Sequence, residues 1–248
     1  MPPVVHAAQA AGIHTLTLDS PANRNALSAA LVDSLRAALT DAAADPAVRA
    51  VVLTHTGGTF CAGADLKSPC DPADFLALLG AIAELPKPVV ARVTGHVRAG
   101  GLGLLGVCDI AAAGPQSSYA FTETHLGLAP AVISMPLLPR LDPRAAARYF
   151  LTAERFDAAE ATRIGLLTLH AQAPQDVDDV LAPVLAGLRA ASPQGLAATK
   201  ALTSATVREA LARDGARLTE LSAGLFASAE AREGITARFE RREPSWAL

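Results

Sequence analysis

Cysteine is scarce in this chain. Its three copies, Cys61, Cys70 and Cys108, cannot all pair, and none stands in a C-x-x-C spacing. That speaks against a disulfide framework and against a zinc site, and no metal is expected. Aromatic residues are only 4% of the chain, too few for stacking on nucleobases to be a main activity. Charged residues are 18%, the net charge is −3, and no basic run precedes the C-terminal helix. Nucleic acid and anionic membranes are therefore poor partners. No Lys or Arg occurs before Arg24, so the charged start of a signal peptide is lacking. The apolar run from Ala99 to Cys108 is closed by Asp109, too short to cross a bilayer. These absences lead to the expectation of a soluble, cytoplasmic protein.

What is present is a hydrophobic chain of 248 residues, 51% apolar, with alanine making up much of that share. Such a chain is not disordered, and it can bury a sizeable core as one large domain or two small ones. Ile13–Leu18 alternates and predicts a strand. Ser28 predicts the N-cap of a helix to about Ala44, with Leu31, Leu35 and Leu39 on one face. Further strands are predicted at Ala50–Leu53, Val89–Val93, Ile110–Ala113 and Ser118–Phe121, with a helix at Phe75–Leu85. After Pro143 the pattern is helical: Ala145–Leu151, Ala158–Ile164, Asp176–Ala190, and a last region from Pro193 to Arg242. The plan is an α/β body with a helical C-terminal part.

The stretch Arg98–Asp109, RAGGLGLLGVCD, contains G-x-G-x-x-G at Gly101, Gly103 and Gly106. Glu123 follows 20 residues after Gly103. This imitates a dinucleotide-binding fingerprint and keeps a nicotinamide-dependent oxidoreductase among the readings. The spacing fits poorly. Thr94–Gly100 separates the strand from the first glycine of the motif, and the helix would hold only about eight residues before the next strand. Glycine inside a helix costs roughly 1 kcal/mol relative to alanine. It is accepted where a backbone, a side chain or a ligand comes close, so tight helix packing is the competing account.

A second loop, Thr59–Lys67 (TFCAGADLK), follows the strand Ala50–Leu53 much as the glycine stretch follows Val89–Val93. Small residues, Ala62-Gly63-Ala64 and Ala99-Gly100-Gly101, leave backbone N–H groups uncovered in both loops. Two such N–H groups aimed at one oxygen form an oxyanion hole, and a helix N-terminus adds partial positive charge.

Taken together, five segments resemble the crotonase, or enoyl-CoA hydratase/isomerase, superfamily over nearly the whole chain. They are RNALS (Arg24–Ser28), FCAGADLK (Phe60–Lys67), PKPVVARVTGHVRAGGLGL with CDIAAAG (Pro86–Gly114), TETHLGLAPA (Thr122–Ala131) and EGITARFERREPSW (Glu233–Trp246). The resemblance implies an α/β fold, a crotonase-like spiral of β-β-α turns. It implies a core over residues 1–190 and a helical C-terminal trimerisation region over 191–248. A homotrimer or hexamer is implied as well. Leu218, Leu221, Leu225 and Phe226 would serve either a subunit contact or the chain's own core.

The implied substrate is an acyl-CoA thioester, with no separate cofactor because coenzyme A is part of the substrate. The implied oxyanion donors are the N–H groups of Ala64 and Gly100. Ala26, Leu27, Ala62, Asp65, Leu66 and Lys67 would line the CoA side, with Asp65 read alternatively as a helix N-cap for Leu66 onward. Glu123 matches one catalytic acid of the family. The second acid position is Gly103, where the acid is missing.

One glutamate can serve hydration of a 2-enoyl thioester if another group orients the water; Thr122, Thr124, His125 and His96 are the candidates. It also suits isomerisation of a 3-enoyl to a 2-enoyl thioester, which needs no water. Hydratase chemistry is the leading expectation and isomerase the alternative. A catalytically silent acyl-CoA-binding relative is the reading from outside catalysis. The segment Ser68–Leu79, which would shape the acyl pocket, carries no charge cluster that identifies the acyl group.

Overall fold

The computed structural model describes residues 3–172 and 176–248. The chain opens with an antiparallel hairpin, β1 (Val5–Ala10) and β2 (Ile13–Leu18), turned by Ala11 and Gly12 at φ +47° and +77°. β1 was not expected from the sequence: VHAAQA has no apolar alternation because it lies exposed along the sheet edge. Helix α1 (Ala29–Ala44) starts where predicted, with the Ser28 hydroxyl accepting the Leu31 N–H.

Three similar turns follow. The first is β3 (Ala50–His55), β4 (Thr59–Cys61) and α2 (Pro72–Glu84). The second is β5 (Val89–Val93), β6 (His96–Arg98) and α3 (Gly100–Val107). The third is β7 (Ile110–Ala113), β8 (Ser118–Ala120), a 3-10 turn at Thr124–Leu126 and α4 (Ala131–Leu137). The remainder is α5 (Pro143–Thr152), β9 (Phe156–Asp157), α6 (Ala158–Arg163) and β10 (Leu169–His170). It ends with α7 (Val177–Ala190), α8 (Pro193–Thr203), α9 (Ala205–Phe226) and α10 (Ala229–Glu240). No helix among the described residues is long and apolar enough to cross a membrane.

Each turn sends its first strand into one sheet and its second into another. The first sheet has the order β1-β2-β3-β5-β7-β10, the second β4-β6-β8-β9. Strands of successive turns pair in parallel, Val51 opposite Val89 and Val90 opposite Ile110. This is the spiral of β-β-α turns that the motifs implied.

All six residues of β3 are buried, the mark of a parallel strand covered on both faces. Its side chains alternate. Val51 and Leu53 join the main core under α1–α4, while Ala50 and Val52 face Val177 and Leu181 of α7. β4 and β6 escaped the sequence reading because three-residue strands give no measurable period. α4 escaped it because Pro136 sits inside the helix. α2 begins three residues earlier than predicted, since Asp71 accepts the Ala73 N–H as N-cap and Pro72 occupies the first turn.

The C-terminal helices are anchored by a buried ion pair. Lys200 of α8 reaches Asp109 at 2.8 Å and also donates to the Ile82 and Lys87 carbonyls. Asp109 in turn accepts the Val89 N–H at 2.7 Å, so one carboxylate ties α8 to the start of β5. α9 lies across α2 and α4, burying Val207, Ala210 and Leu211. Leu218 packs against the core, whereas Leu221 is exposed.

Candidate active site

In the second sheet β4, β6 and β8 lie side by side in parallel. The chain leaves β4 into Ala62-Gly63-Ala64, β6 into Ala99-Gly100, and β8 toward Glu123. The three candidate groups thus come off the carboxyl ends of adjacent strands, where open parallel sheets bind ligands. The Ala99 N–H donates to the Ala120 carbonyl at 3.1 Å, which locks the second exit to the third.

The RNALS loop is held from beneath. Arg24 and Asn25 both take left-handed conformations, φ +59° and +53°. Asn25 is fully buried; its side-chain oxygen accepts the Ser20 N–H, and its amide donates to the Thr56 and Thr59 carbonyls. Sequence reading quoted Asn25 only as a letter of the motif. Its signal is an Asn in a loop, a residue type whose side chain bonds nearby backbone and which tolerates a left-handed conformation. So braced, Leu27 donates to the Gly63 carbonyl at 2.8 Å and accepts the Asp65 N–H, while Ala62 donates to Arg24. The bridge between Leu27 and Ala64 uses the N–H groups of Leu27 and Asp65, leaving the Ala64 N–H outside it.

Asp65 is not a helix N-cap; α2 starts only at Pro72 and is capped by Asp71. Instead Asp65 accepts the Lys67 and Ser68 N–H groups with one oxygen and the Asn23 amide with the other. Burial works against its charge, but these hydrogen bonds hold its carboxyl below the usual range. The residue staples the two loops together. Of the other predicted contact residues, Ala26 and Leu27 are buried, Ala62 and Leu66 half-buried, and Lys67 exposed.

Gly63 and Gly100 bring the loops into contact. A methyl built on Gly63 would stand 2.8 Å from Ala99 Cβ and 3.3 Å from the Gly100 nitrogen. One built on Gly100 would meet Leu27 Cδ1 at 2.8 Å and the Ala64 nitrogen at 3.7 Å. The N–H groups of Ala64 and Gly100 therefore sit close together. Gly100 is the first residue of α3, whose N–H has no intrahelical partner. Ala99 just before it adopts φ +45° and ψ −122°, a conformation L-residues rarely take. Strain of this kind gathers where a chain must aim a backbone group.

Glu123 is 8% exposed, and its Oε2 is buried without a hydrogen-bond partner. Burial pushes its carboxyl up to about 7. Its carbonyl accepts the Leu126 and Leu128 N–H groups, fixing its backbone against the 3-10 turn. The candidates for orienting water do not bond to it. His125 is exposed, His96 contacts the Ser118 hydroxyl, and the Thr124 hydroxyl donates to the Leu151 carbonyl.

The glycines of the apparent dinucleotide fingerprint are taken up in packing. A methyl on Gly101 would stand 2.7 Å from the Cys61 carbonyl oxygen. On Gly103 it would collide with Ile133 Cγ2, and on Gly106 it would stand 2.6 Å from Leu137 Cδ2. Ile133 and Leu137 belong to α4, so close helix packing accounts for Gly103 and Gly106 and no pyrophosphate is needed. Among the described residues, no group of three or more His, Cys, Asp or Glu side chains is arranged to hold a metal.

The sequence profile of the family described as enoyl-CoA hydratase/isomerase matches residues 8–247. The crystal structure of an enoyl-CoA hydratase from Mycobacterium avium is 52% identical, with full coverage of both chains and a TM-score of 0.93. Pseudomonas aeruginosa AtuE is 35% identical over 99% of this chain and 100% of its own, with a TM-score of 0.77. The mitochondrial enoyl-CoA hydratase of Pongo abelii is 30% identical, covering 93% of this chain and 82% of its own.

Proposed function

The chain belongs to the enoyl-CoA hydratase/isomerase family, and we propose that it adds water across the 2,3 double bond of an enoyl-CoA thioester with Glu123 as its single acid–base. The observation that carries this reading is the Glu123 carboxyl, buried, with one oxygen lacking any partner, and held up to about 7. A group poised there can both take and return a proton near neutrality.

The thioester oxygen accepts the Ala64 and Gly100 N–H groups. Ionised Glu123 takes a proton from water as the water oxygen bonds to C3. The electron pair of the double bond moves through C2 to the thioester oxygen, and the two N–H groups hold the resulting enolate charge. Glu123 then delivers its proton to C2, and the double bond to oxygen re-forms. The donors matter most as charge develops, which favours the transition state over bound substrate. Ala26, Leu27, Ala62, Asp65, Leu66 and Lys67 flank the CoA portion, which is substrate and not cofactor.

One observation favours a second reading. The space a side chain at Gly103 would need is filled by Ile133, so no second carboxylate stands on α3 to hold water. Moving a proton from C2 to C4 of a 3-enoyl thioester needs only Glu123.

Both readings meet one assay panel. Crotonyl-CoA, a 3-methylglutaconyl-type enoyl-CoA and a 3-enoyl-CoA are followed for water addition and for double-bond shift. Water addition with a base limb near pH 7 is the expected result. Glu123→Gln should abolish it while CoA affinity stays. Gly100→Pro removes one N–H and should lower kcat on the order of 10²–10³-fold. A double-bond shift alone makes the protein an isomerase. No turnover on any substrate would leave an acyl-CoA-binding protein.

A further inference from the structure

Glu123 sits immediately before the 3-10 turn Thr124–Leu126, and that turn is gripped by α10. The grip is backbone on backbone. A methyl on Gly127 would stand 2.7 Å from the Glu230 carbonyl carbon and 2.9 Å from the Ala231 nitrogen. A methyl on Gly234 would stand 2.6 Å from the Leu126 carbonyl carbon and 2.7 Å from Leu126 Cα. Two glycines, one on each side, thus let the main chains of α10 and of the Glu123 segment meet without side chains between them. Gly127 is also at φ +69°, which only glycine takes freely.

The helix that makes this contact is itself fixed at both ends. Ser228 caps its start by accepting the Ala231 N–H. From within the helix, Glu233 accepts the Arg242 Nη1 and Nη2 at 2.7 and 2.9 Å and the Ser245 N–H at 2.8 Å, folding the tail back on the helix. These contacts are exposed and individually weak, but together they oppose fraying. On the other side, the Glu123 carbonyl accepts the N–H of Leu126, at the end of the turn, and that of Leu128 just past it. A displacement of the turn by α10 is therefore passed to the Glu123 backbone over a few bonds.

We propose that α10 is a backbone clamp that sets the position of Glu123, with Gly234 as its positioning residue. The proposal rests on the reading of Glu123 as the acid–base. The clamp carries no reacting group and touches no substrate. It acts by keeping a buried carboxyl, which has no partner for one oxygen, from swinging toward solvent. Misplacement of a catalytic group by about 1 Å can cost on the order of 10²-fold in rate.

Gly234→Ala tests this in the full-length protein. The added methyl has only Leu126 main chain to push against, so the turn must move. The expected result is a fall in kcat on the order of 10-fold or more, little change in KM, and a base limb displaced from its wild-type pH as the carboxyl meets water. Gly224→Ala on α9 adds a methyl with nothing within 4 Å and should leave both unchanged. If Gly234→Ala fails to fold, Ser228→Ala loosens the same helix by removing its N-cap and should lower kcat in the same direction. Wild-type kcat and pH profile in a folded Gly234→Ala overturn the proposal, as they do in Ser228→Ala where Gly234→Ala does not fold. Glu123→Gln separates the two claims. If it retains turnover, the acid–base reading fails; if it is inactive while the α10 variants behave as wild type, only the clamp fails.

Discussion

At the scale of one residue, the same burial that supports the proposed acid–base role of Glu123 makes it costly to ionise. Its folded-state carboxyl titrates at about 7, against 4.5 for an ordinary glutamate. Between those values the folded state binds the extra proton, so stability falls as pH rises through the window. The gap corresponds to at most about 3 kcal/mol. Glu123→Gln removes the ionisation while keeping the shape. Denaturant melts should therefore find the variant close to wild type at pH 4 and more stable than wild type at pH 8. Equal differences at both pH values would mean that Glu123 is already solvated in the folded protein. A buried acid that destabilises its own fold fits the proposed acid–base role, since activity and stability trade against each other.

At the scale of elements, α3 and α4 explain each other. α3 is only eight residues long and carries Gly103 and Gly106 in its interior, a poor helix by propensity. Ile133 and Leu137 of α4, four residues apart, fill the two hollows those glycines leave. Gly103→Ala gains roughly 1 kcal/mol of helix propensity. It also drives a methyl into Ile133, including its Cβ at 2.9 Å, which a rotamer change cannot clear. Overpacking of this kind costs about 1–3 kcal/mol, so the net effect is destabilising. Ile133→Ala alone should cost about 2–5 kcal/mol. The double variant should cost less than the sum of the two. A cycle that closes additively in thermal or denaturant melts would show that the helices do not meet there.

At the scale of the whole molecule, the helical C-terminal part leaves large apolar side chains on the outside. Leu202, Leu221 and Phe239 are all exposed, at 78%, 45% and 54%. Single exposed apolar side chains are ordinary, but each of the last three helices keeps a large one in water that a subunit contact would cover. We propose a homotrimer, or a pair of trimers. Light scattering at micromolar concentration should return three or six times the 25.4 kDa of the chain. A monomer under those conditions would count against it.

Much of this protein is determined locally. β2, β5 and β7 stand where alternation or a short apolar run put them, and α1 starts at its predicted cap, because strand period and capping chemistry act over a few residues. Ala64, Gly100 and Glu123, which the family resemblance singles out, follow the carboxyl ends of three adjacent parallel strands. Tertiary structure alone decided the rest. Asp65 became a staple and not a cap, because its partner Asn23 lies 42 residues away. Lys200 became a buried anchor, because Asp109 and two carbonyls meet it across the fold. The fingerprint glycines became seats for Ile133 and Leu137, and the Glu123 turn became bound to α10 through Gly127 and Gly234. Close approach between distant segments leaves no period and no cap in a sequence. It becomes visible only when the spiral has brought the backbones together.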